Sequence, residues 1–203
     1  MSASEPSLPV AGTVVLVRDA ESGPEVLLLR RPDRGSFAGA WVFPGGKVDP
    51  DDVRDGEAEV EDARRAAIRE TSEEVGLAVD GLVVLSEWHP PVEAPTRIRT
   101  WFFLAAAPAA EPVPSPDEVA EIAWMTPSEA LARHAAGEWT LYPPTWITLH
   151  HLSGFLDAGS ALAGGGEAQL FQTRVLRSET GQTFAWAQGR LETGTLPWRF
   201  VPD

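Results

Sequence analysis

The segment that most directly suggests chemistry is a charged run, Arg69-Glu70-Thr71-Ser72-Glu73-Glu74-Val75-Gly76-Leu77. Glu70 precedes Glu73 by three residues and Glu74 by four, so a helix would present all three carboxylates on about one face. Like charges at these spacings destabilise an isolated helix by about 0.2–0.5 kcal/mol per pair. A hard divalent cation would offset this repulsion, because carboxylate oxygens suit Mg²⁺ or Mn²⁺. A solvated acidic helix face is the alternative interpretation of the same pattern.

A helix that would carry these carboxylates is predicted over residues 58–75. Small and apolar residues recur along it at spacings of three and four, which indicates one buried stripe. They are Val60, Ala63, Ala67, Thr71 and Val75. Gly76 directly follows, as expected of the glycine that ends a helix.

Strands are predicted on both sides of this helix by short runs of β-branched and aliphatic residues. They cover residues 13–18, 25–31, 41–43, 82–88, 97–107 and 122–124. The first two should form a hairpin, and the third runs into Gly45-Gly46, where the backbone can approach a bound group closely. Thr126, Pro127 and Glu129 have the spacing of a helix start with a capping box. This mixed order predicts an α/β sandwich with a mixed sheet between helices, rather than a doubly wound parallel sheet.

The charged run, taken with the Gly-Gly turn before it, resembles the Nudix box. That family signature is Gly-x5-Glu-x7-Arg-Glu-U-x-Glu-Glu-x-Gly-U, with U a bulky aliphatic residue. Gly46 matches the first glycine, Glu61 the first glutamate, and Arg69 begins the second half, which ends at Leu77. Two departures are visible: fourteen residues separate Gly46 from Glu61 where the pattern has five, and Thr71 occupies an aliphatic position. The nine extra residues should enlarge an acidic loop before the helix.

This resemblance implies a Nudix-like α/β/α sandwich that hydrolyses a nucleoside diphosphate linked to another moiety, with Mg²⁺ or Mn²⁺ as cofactor. It places the metal on Glu70, Glu73, Glu74 and Gly46. Arg69 and Glu73 are then expected among the catalytic residues. A bound metal would neutralise the diphosphate and lower the pKa of a bound water.

A general base is also implied, since in this family it often comes from a glutamate on a loop well after the box. Glu118 resembles that glutamate by its place six residues before Trp124, and Glu121 is the competitor. A solvated loop carboxylate is the alternative for either residue.

Basic and aromatic residues on the predicted strands are candidates for binding the substrate. The arginines are Arg30, Arg31, Arg97 and Arg99. Strand alternation leaves a purely surface position open for each of them. Trp88 or Trp101 is a candidate for stacking on a purine, with core packing as the alternative.

The charge balance excludes some classes of partner. The chain has 203 residues, with 16 Lys+Arg against 30 Asp+Glu and a formal net charge of −14, which argues against nucleic-acid binding and favours cations. We therefore expect a small-molecule nucleotide as the partner. Zero cysteines exclude disulfides, thiolate zinc sites and a cysteine nucleophile. No apolar run approaches the roughly 18 residues of a membrane span, and Met1–Pro9 does not resemble a signal peptide, so we expect no membrane association and a cytoplasmic location.

Three segments are predicted along the chain. Residues 1–9 read as a poorly ordered leader, 10–140 as a Nudix hydrolase domain and 141–203 as a C-terminal extension. The extension should contain a helix over 143–155, a Gly/Ala linker over 159–166 and a terminal hairpin. Its many aromatic residues predict packing on the core or a homodimer interface.

A narrower resemblance concerns the substrate. The insertion inside the box, the Arg30-Arg31-Pro32 run and the segment from Phe37 to Gly46 resemble the Nudix subgroup related to coenzyme A diphosphatases. Coenzyme A or its derivatives are then the first expectation. ADP-ribose or dinucleotide pyrophosphatase activity stays open, as does a non-catalytic Nudix-like nucleotide-binding sensor.

Overall fold

The computed structural model describes residues 8–35, 37–178 and 181–203. Residues 1–7 of the predicted leader lie outside the described residues. The elements are β1 (Val10–Ala20), β2 (Gly23–Arg30), β3 (Trp41–Val42), β4 (Gly45–Lys47), a 3-10 turn (Pro50–Asp52), α1 (Glu59–Val75), β5 (Val83–His89), β6 (Arg99–Ala106), β7 (Glu121–Met125), α2 (Pro127–Ala135), α3 (Pro143–Leu152), α4 (Ala158–Ala163), β8 (Gln169–Gln172), β9 (Arg174–Ser178), β10 (Gly181–Trp186), β11 (Gly189–Glu192) and β12 (Arg199–Pro202).

A mixed sheet forms the centre of the fold, as predicted. Its strand order is β3-β2-β1-β6-β5-β8, with β4 added to β1 and β7 added to β2. β1 runs parallel to β6 and β5 parallel to β8, while the other pairs are antiparallel. The predicted hairpin is present, with Val17 opposite Val26 and Ala20 opposite Gly23.

Helices cover both faces of this sheet. On one face, Val14 and Leu16 share an apolar cluster with Ala63 and Ala67 of α1. On the other, Val15 shares a cluster with residues of α2 and α3. Because neighbouring residues of a strand point to opposite faces, β1 contributes to both layers. The predicted α/β class with a mixed sheet between helices is confirmed.

The predicted glycine end of α1 and the predicted capping box of α2 are both present. α1 ends at Gly76, whose φ of 67° is left-handed and whose N–H donates to the Ser72 carbonyl at 3.0 Å. At the start of α2, the Glu129 N–H donates to the Thr126 hydroxyl, and the Glu129 carboxylate accepts from the Thr126 N–H at 3.1 Å. These caps satisfy backbone groups that the helices leave unpaired.

The last quarter of the chain adds to the sheet and forms a second one. β8 extends the main sheet beside β5, and β9–β12 form an antiparallel sheet in the order β12-β11-β10-β9. Phe171, Trp186 and Leu191 belong to the same cluster as Val15. The hairpin predicted from residues 170–177 and 183–188 is present as β9 and β10, but its first strand is divided, because β8 belongs to the main sheet and β9 to the second one. Residues 179 and 180 of the predicted turn lie outside the described residues. The linker predicted over 159–166 is wrong in its first half, because α4 forms there, with Ser160 N–H bonded to the Asp157 carboxylate at 2.6 Å.

The division into segments at residues 140 and 141 stays a prediction. Among the described helices, none combines the length and the apolar character that crossing a membrane requires.

Candidate active site

Helix α1 lies directly on β1 and β4, and glycines permit this approach. Gly12 and Gly46 are paired neighbours on these strands. A Cβ on Gly12 would lie 1.8 Å from the carbonyl oxygen of Ala63, and a Cβ on Gly46 would lie 2.2 Å from the carboxyl carbon of Glu70. A residue larger than glycine at either position would therefore force the neighbouring atoms of α1 to move. The β4 backbone is therefore held against the acidic part of α1.

Glu74 is the most deeply buried carboxylate of this region. The residue is 1% exposed, and it accepts a hydrogen bond from the Gly45 N–H at 2.9 Å and one from Nη1 of Arg31 at 2.5 Å. Burial raises the pKa of Glu74 to about 7, the Gly45 N–H and Arg31 oppose that rise, and the carboxylates of Glu70 and Glu118 add to it. Burial thus makes the charged form of Glu74 costly, and Arg31 and the Gly45 N–H offset part of that cost.

The loop before β7 crosses the C-terminal end of α1. The N–H of Ser115 donates to the Glu74 carbonyl, and that of Val113 donates to the Val75 carbonyl, both at 2.8 Å. These bonds satisfy carbonyls that the helix end leaves without a partner. The Glu118 N–H in turn donates to the Ser115 carbonyl at 3.2 Å. The loop that caps the helix therefore carries Glu118 towards the carboxylates.

Glu70 shares one negative neighbour, Glu118, with Glu74. Burial raises its pKa, Arg69 lowers it, and the charges of Glu73 and Glu118 raise it again. Glu118 therefore acts electrostatically on both Glu70 and Glu74. Glu121, the competing candidate base, is 59% exposed at its side chain and lies 3.5 Å from Nε of Arg30.

Arg69 organises the neighbouring carboxylates. Its Nη1 donates to Glu70 at 3.0 Å and to Glu73 at 3.1 Å, while Nη2 donates to the Lys47 carbonyl at 3.0 Å. The other side of the guanidinium faces Asp52, with Nη2 to Oδ2 at 2.9 Å and Nε to Oδ1 at 3.3 Å. Hydrogen bonds, first to Asp52 and then to Glu70, raise the pKa of Arg69 above its ordinary value.

Asp52 comes from the 3-10 turn Pro50–Asp52 and follows Gly46 after five residues, the spacing of the first acidic residue in the motif. Burial alone would raise its pKa, but hydrogen bonds from Arg69 and from the Asp49 N–H hold the pKa below its ordinary value. Glu61, which matches the first glutamate of the sequence motif, instead accepts from Nε of Arg64 at 3.1 Å. Thr71, at the aliphatic position, is fully buried and bonds the Ala67 carbonyl through its hydroxyl at 2.7 Å.

The donor chemistry of the region fits a hard divalent cation. Within the described residues, no group of three or more His, Cys, Asp or Glu side chains is already arranged around a metal position. However, the charge of Glu118 raises the pKa values of Glu70 and Glu74, that of Glu70 also raises the pKa of Glu74, and all three side chains offer carboxylate oxygens. Mg²⁺ and Mn²⁺ prefer such ligands, and a cation would relieve this repulsion.

Comparison with known protein families identifies the family of this chain. A family model described as the NUDIX domain matches residues 8–144. The chain belongs to the Nudix hydrolase family. A relative, the CTP pyrophosphohydrolase of Escherichia coli strain K12, is 32% identical over 108 residues, which are 53% of this chain and 70% of that protein.

Solved structures agree on the Nudix fold. The Nudix hydrolase of Alicyclobacillus acidocaldarius superposes with a TM-score of 0.72 at 23% identity, covering 82% of this chain and 100% of that one. The MutT Nudix hydrolase of Burkholderia pseudomallei gives 0.55 at 27% identity, covering 71% and 98%. The first match covers part of the C-terminal extension as well, because 82% of the 203 residues is more than the 140 residues that precede the extension.

The arginines predicted to bind substrate separate into two places. Arg31 reaches the Nudix helix at Glu74. Arg99 instead pairs with Glu59, the first residue of α1. At about 1.5 Å per residue, Glu59 lies roughly 16 Å along the helix from Glu70. Arg97 lies just before β6, at the same end as Arg99. These two arginines are therefore not gathered with the carboxylates.

The two tryptophans proposed for purine stacking have other contacts. Trp88 is 4% exposed and stacks on Phe171 with ring centroids 4.0 Å apart, while its Nε1 donates to the Ser86 hydroxyl at 3.2 Å. Its ring faces have no room for a nucleobase in this structure, and core packing is the observed role. Trp101 donates from Nε1 to Glu59 at 3.1 Å, at the remote end of the Nudix helix.

Sequence reasoning missed Asp52 as the partner of Arg69, and it also missed a contact between two half-exposed aromatic rings. Phe37 and Tyr142 meet edge-to-face with centroids 4.9 Å apart, and each is 39% exposed. Phe37 also has a φ of 60°, unusual for a residue other than glycine. The sequence did carry a signal for Asp52, since it follows Gly46 after five residues, the spacing of the first acidic residue in the family signature.

Proposed function

We propose that this Nudix protein hydrolyses a nucleoside diphosphate linked to a second moiety, with Mg²⁺ or Mn²⁺ as cofactor. The observation that carries the proposal is geometric: Glu70 and Glu74 both lie against the Gly45-Gly46 backbone, and the loop bonded to the Glu74 carbonyl carries Glu118. Burial and the negative charge of Glu118 raise the pKa values of both Glu70 and Glu74, which is typical of carboxylates placed to hold a cation.

The residues expected to hold the metal are those of the sequence motif: Glu70, Glu73, Glu74 and the carbonyl of Gly46. When bound, a divalent cation neutralises diphosphate charge and lowers the pKa of a bound water. Arg31 and Arg69 hold the oxygens of the acidic side chains in place through their hydrogen bonds. Arg31 is 32% exposed at its side chain, which leaves it accessible to substrate phosphate oxygens.

Glu118 is the proposed general base. It lies on a loop rather than on the helix, and it acts electrostatically on both Glu70 and Glu74. A carboxylate in this position accepts the proton of the attacking water, and such proton transfer typically contributes about 10²–10⁴ in rate.

A matched pair of variants tests this assignment. Glu118→Gln should lower kcat by about 100-fold or more, whereas Glu121→Gln, on the adjacent strand and paired with Arg30, should stay within about twofold of the wild type. Equal effects of the two substitutions would remove Glu118 from the role. Hydrolysis by the wild type also separates an enzyme from a nucleotide-binding sensor, which would bind the nucleotide without cleaving it.

Coenzyme A or a derivative is the first substrate that we propose, on the resemblance of the loop and insertion. Cleavage would separate 3′,5′-ADP from the phosphopantetheine part. A nucleoside triphosphate is the second candidate, because the relative that is 32% identical is named a CTP pyrophosphohydrolase. Comparison of kcat/KM for coenzyme A, CTP, ADP-ribose and NADH decides among them, and a tenfold disadvantage for coenzyme A would end the first assignment.

Assembly and location are separate proposals. A homodimer stays a prediction that light scattering of the purified protein tests, with a mass near 21.9 kDa excluding it. A cytoplasmic location likewise stays a prediction, and cell fractionation tests it.

A further inference from the structure

Phe37, whose ring contacts that of Tyr142, lies on a loop that begins at the carboxylate site. The Arg31 N–H donates to the Ala40 carbonyl at 2.9 Å, and the Ala40 N–H donates to the Phe37 carbonyl at 3.0 Å. Paired backbones lie about 5 Å apart, and such a turn brings its first and fourth Cα atoms within about 7 Å, so the Cα of Phe37 is within about 12 Å of that of Arg31. Arg31 in turn binds Glu74 through its guanidinium.

The same loop is tied to the segment that carries the proposed general base. Nη2 of Arg34 donates to the carbonyl of Asp117, the residue before Glu118, at 3.1 Å. The loop of residues 32–39 is therefore fastened at Arg31 on one side of the site and at Asp117 on the other. Phe37 belongs to a loop that borders the site, not to a distant surface.

The backbone that carries Tyr142 is fixed as well. The Trp41 N–H donates to the Thr140 carbonyl at 2.9 Å, and the buried rings of Trp41 and Trp139 stack with centroids 3.8 Å apart. Two residues later, the Tyr142 carbonyl accepts from the Trp146 N–H at 2.9 Å in the first turn of α3. Strand-like pairing and the helix start thus hold Tyr142 in place beside the loop.

The conformation of Phe37 is not explained by packing. Its φ of 60° lies in the left-handed region, which is unfavourable for a residue with a bulky side chain and is adopted more readily by Gly or Asn. The ring nevertheless stays 39% exposed, so its burial offsets little of this cost. A strained backbone that holds an exposed ring is typical of a position kept for binding.

The two rings form a corner that fits a planar heterocycle. Their planes meet at 82° with centroids 4.9 Å apart, and each residue is 39% exposed. A nucleobase can stack on the face of one ring while its edge meets the other, and such stacking tolerates different bases. Because the formal net charge of −14 repels phosphates, stacking of the uncharged base adds an attraction that the overall charge does not supply.

We propose that Phe37 and Tyr142 form the nucleobase subsite of this enzyme, with the diphosphate lying between Arg31 and the carboxylates. The inference rests on the proposed function and names the part of the substrate that this surface recognises. The fastened loop sets the spacing between the base and the phosphates. The enzyme should therefore favour nucleotides over sugar phosphates that lack a base, without strict selection among the bases.

The affinity for AMP relative to ribose 5-phosphate tests the subsite, because the two ligands differ only in the base. We measure both dissociation constants by isothermal titration calorimetry of the full chain with Mg²⁺. The wild type should bind AMP about tenfold more tightly or better, and Phe37→Asn and Tyr142→Ala should each lower this ratio about fivefold or more. Leu176→Ala, at a residue of β9 that is 47% exposed, is the control and should keep the ratio within about twofold.

Two results of this titration would overturn the proposal. One is a wild type that binds both ligands equally well. The other is a ratio within about twofold of the wild type in both ring variants. Titration with 4′-phosphopantetheine adds a third: an affinity that falls more than that for AMP in Phe37→Asn would assign the corner to the pantetheine arm of coenzyme A and reject the base subsite.

Phe37→Asn also separates a binding role from a packing role. Asn adopts a positive φ with less strain, so the variant should melt at or above the temperature of the wild type while it binds AMP more weakly. A lower melting temperature with an unchanged ratio of affinities would make Phe37 a packing residue and contradict the proposal.

Failure of the proposed function gives a distinct result. AMP and ribose 5-phosphate contain no diphosphate, so their affinities are measured without hydrolysis. A wild type that prefers AMP but cleaves no diphosphate would reject the proposed function and retain the base subsite. A wild type that cleaves a nucleoside diphosphate derivative with the same KM and the same AMP affinity as Phe37→Asn and Tyr142→Ala would reject the subsite alone.

Discussion

Arg31 donates from Nη1 to Oε1 of Glu74 at 2.5 Å, across 43 positions of sequence, and so links the end of the β2 hairpin to the last turn of α1. Glu74 is 1% exposed, whereas the Arg31 side chain is 32% exposed. The carboxylate of this pair is therefore shielded from water, whereas the guanidinium is partly exposed to it. Removal of Arg31 should leave the buried Glu74 carboxylate without its cationic partner.

Replacing Arg31 with Ala leaves the buried Glu74 carboxylate with the hydrogen bond from the Gly45 N–H but without its ion-pair partner. Breaking a fully buried pair costs about 3–5 kcal/mol, and the exposure of Arg31 reduces this to about 1–3 kcal/mol of unfolding free energy. Urea denaturation at pH 7 measures the change. Arg30→Ala is the matched control, because Arg30 pairs with the exposed Asp33 and should cost less than about 1 kcal/mol. Similar losses for both variants would contradict the buried role of Arg31.

Gly46→Ala tests the closeness of β4 and α1. The new Cβ would lie 2.2 Å from the Glu70 carboxyl carbon, so the end of that side chain must move. We expect Mn²⁺ affinity to fall about tenfold or more, which corresponds to about 1.4 kcal/mol of binding free energy. Gly159→Ala is the control, since the nearest atom to its Cβ is a side-chain oxygen at 3.4 Å. Unchanged Mn²⁺ affinity in Gly46→Ala would show that Glu70 is free to turn away without loss.

The packing of the C-terminal extension on the core is tested at Phe171. This ring is 2% exposed, stacks on Trp88 and contacts Trp186 edge-on at 5.3 Å. Phe171→Ala should cost about 3–5 kcal/mol, whereas Leu170→Ala, its neighbour at 45% exposure, should cost about 1 kcal/mol or less. Chemical denaturation measures both. Equal stability of the Phe171 variant and the wild type would mean that the extension does not contribute to the core.

Acid should destabilise the protein below about pH 6.5 through His134. Burial lowers the pKa of this imidazole, and the hydrogen bond with the Trp139 carbonyl opposes the shift. The unfolded chain therefore takes up a proton at about 6.5 before the folded protein does, and stability is lost as pH falls. His134→Gln should flatten the dependence of unfolding free energy on pH below about pH 6.5, by up to about 1.4 kcal/mol per pH unit. An identical slope in the variant would contradict this assignment.

Features set by neighbouring residues could be predicted from the sequence. The stripe ending at Val75, the left-handed Gly76 and the Thr126–Glu129 cap each depend on residues within one or two helical turns. The acidic face of α1 follows from the same periodicity. For this reason the position of Glu70 and Glu74 was available from their spacing alone.

Features set by contacts between residues far apart in the sequence could not be predicted in this way. Trp88 is covered by Phe171 on a strand 83 positions later, and no local pattern distinguishes a covered ring from a free one. The partner of Arg69 was ambiguous in the sequence, because the spacing from Gly46 fits Asp52 whereas the spacing to Arg69 fits Glu61. The structure pairs Asp52 with Arg69 and Glu61 with Arg64, and these contacts depend on how the segment between Gly46 and α1 folds.

The most direct test of the account is hydrolysis by the wild type and by Glu74→Gln with Mg²⁺ and with a chelator present. The panel contains coenzyme A, CTP, ADP-ribose and NADH, and product nucleotides are quantified by chromatography. We expect Mg²⁺-dependent cleavage of at least one diphosphate by the wild type, and a loss of at least about 100-fold in kcat for the folded Glu74→Gln variant, because the amide keeps the shape and removes the charge. Cleavage that persists in the chelator, or a Glu74→Gln variant within twofold of the wild type, would contradict the account.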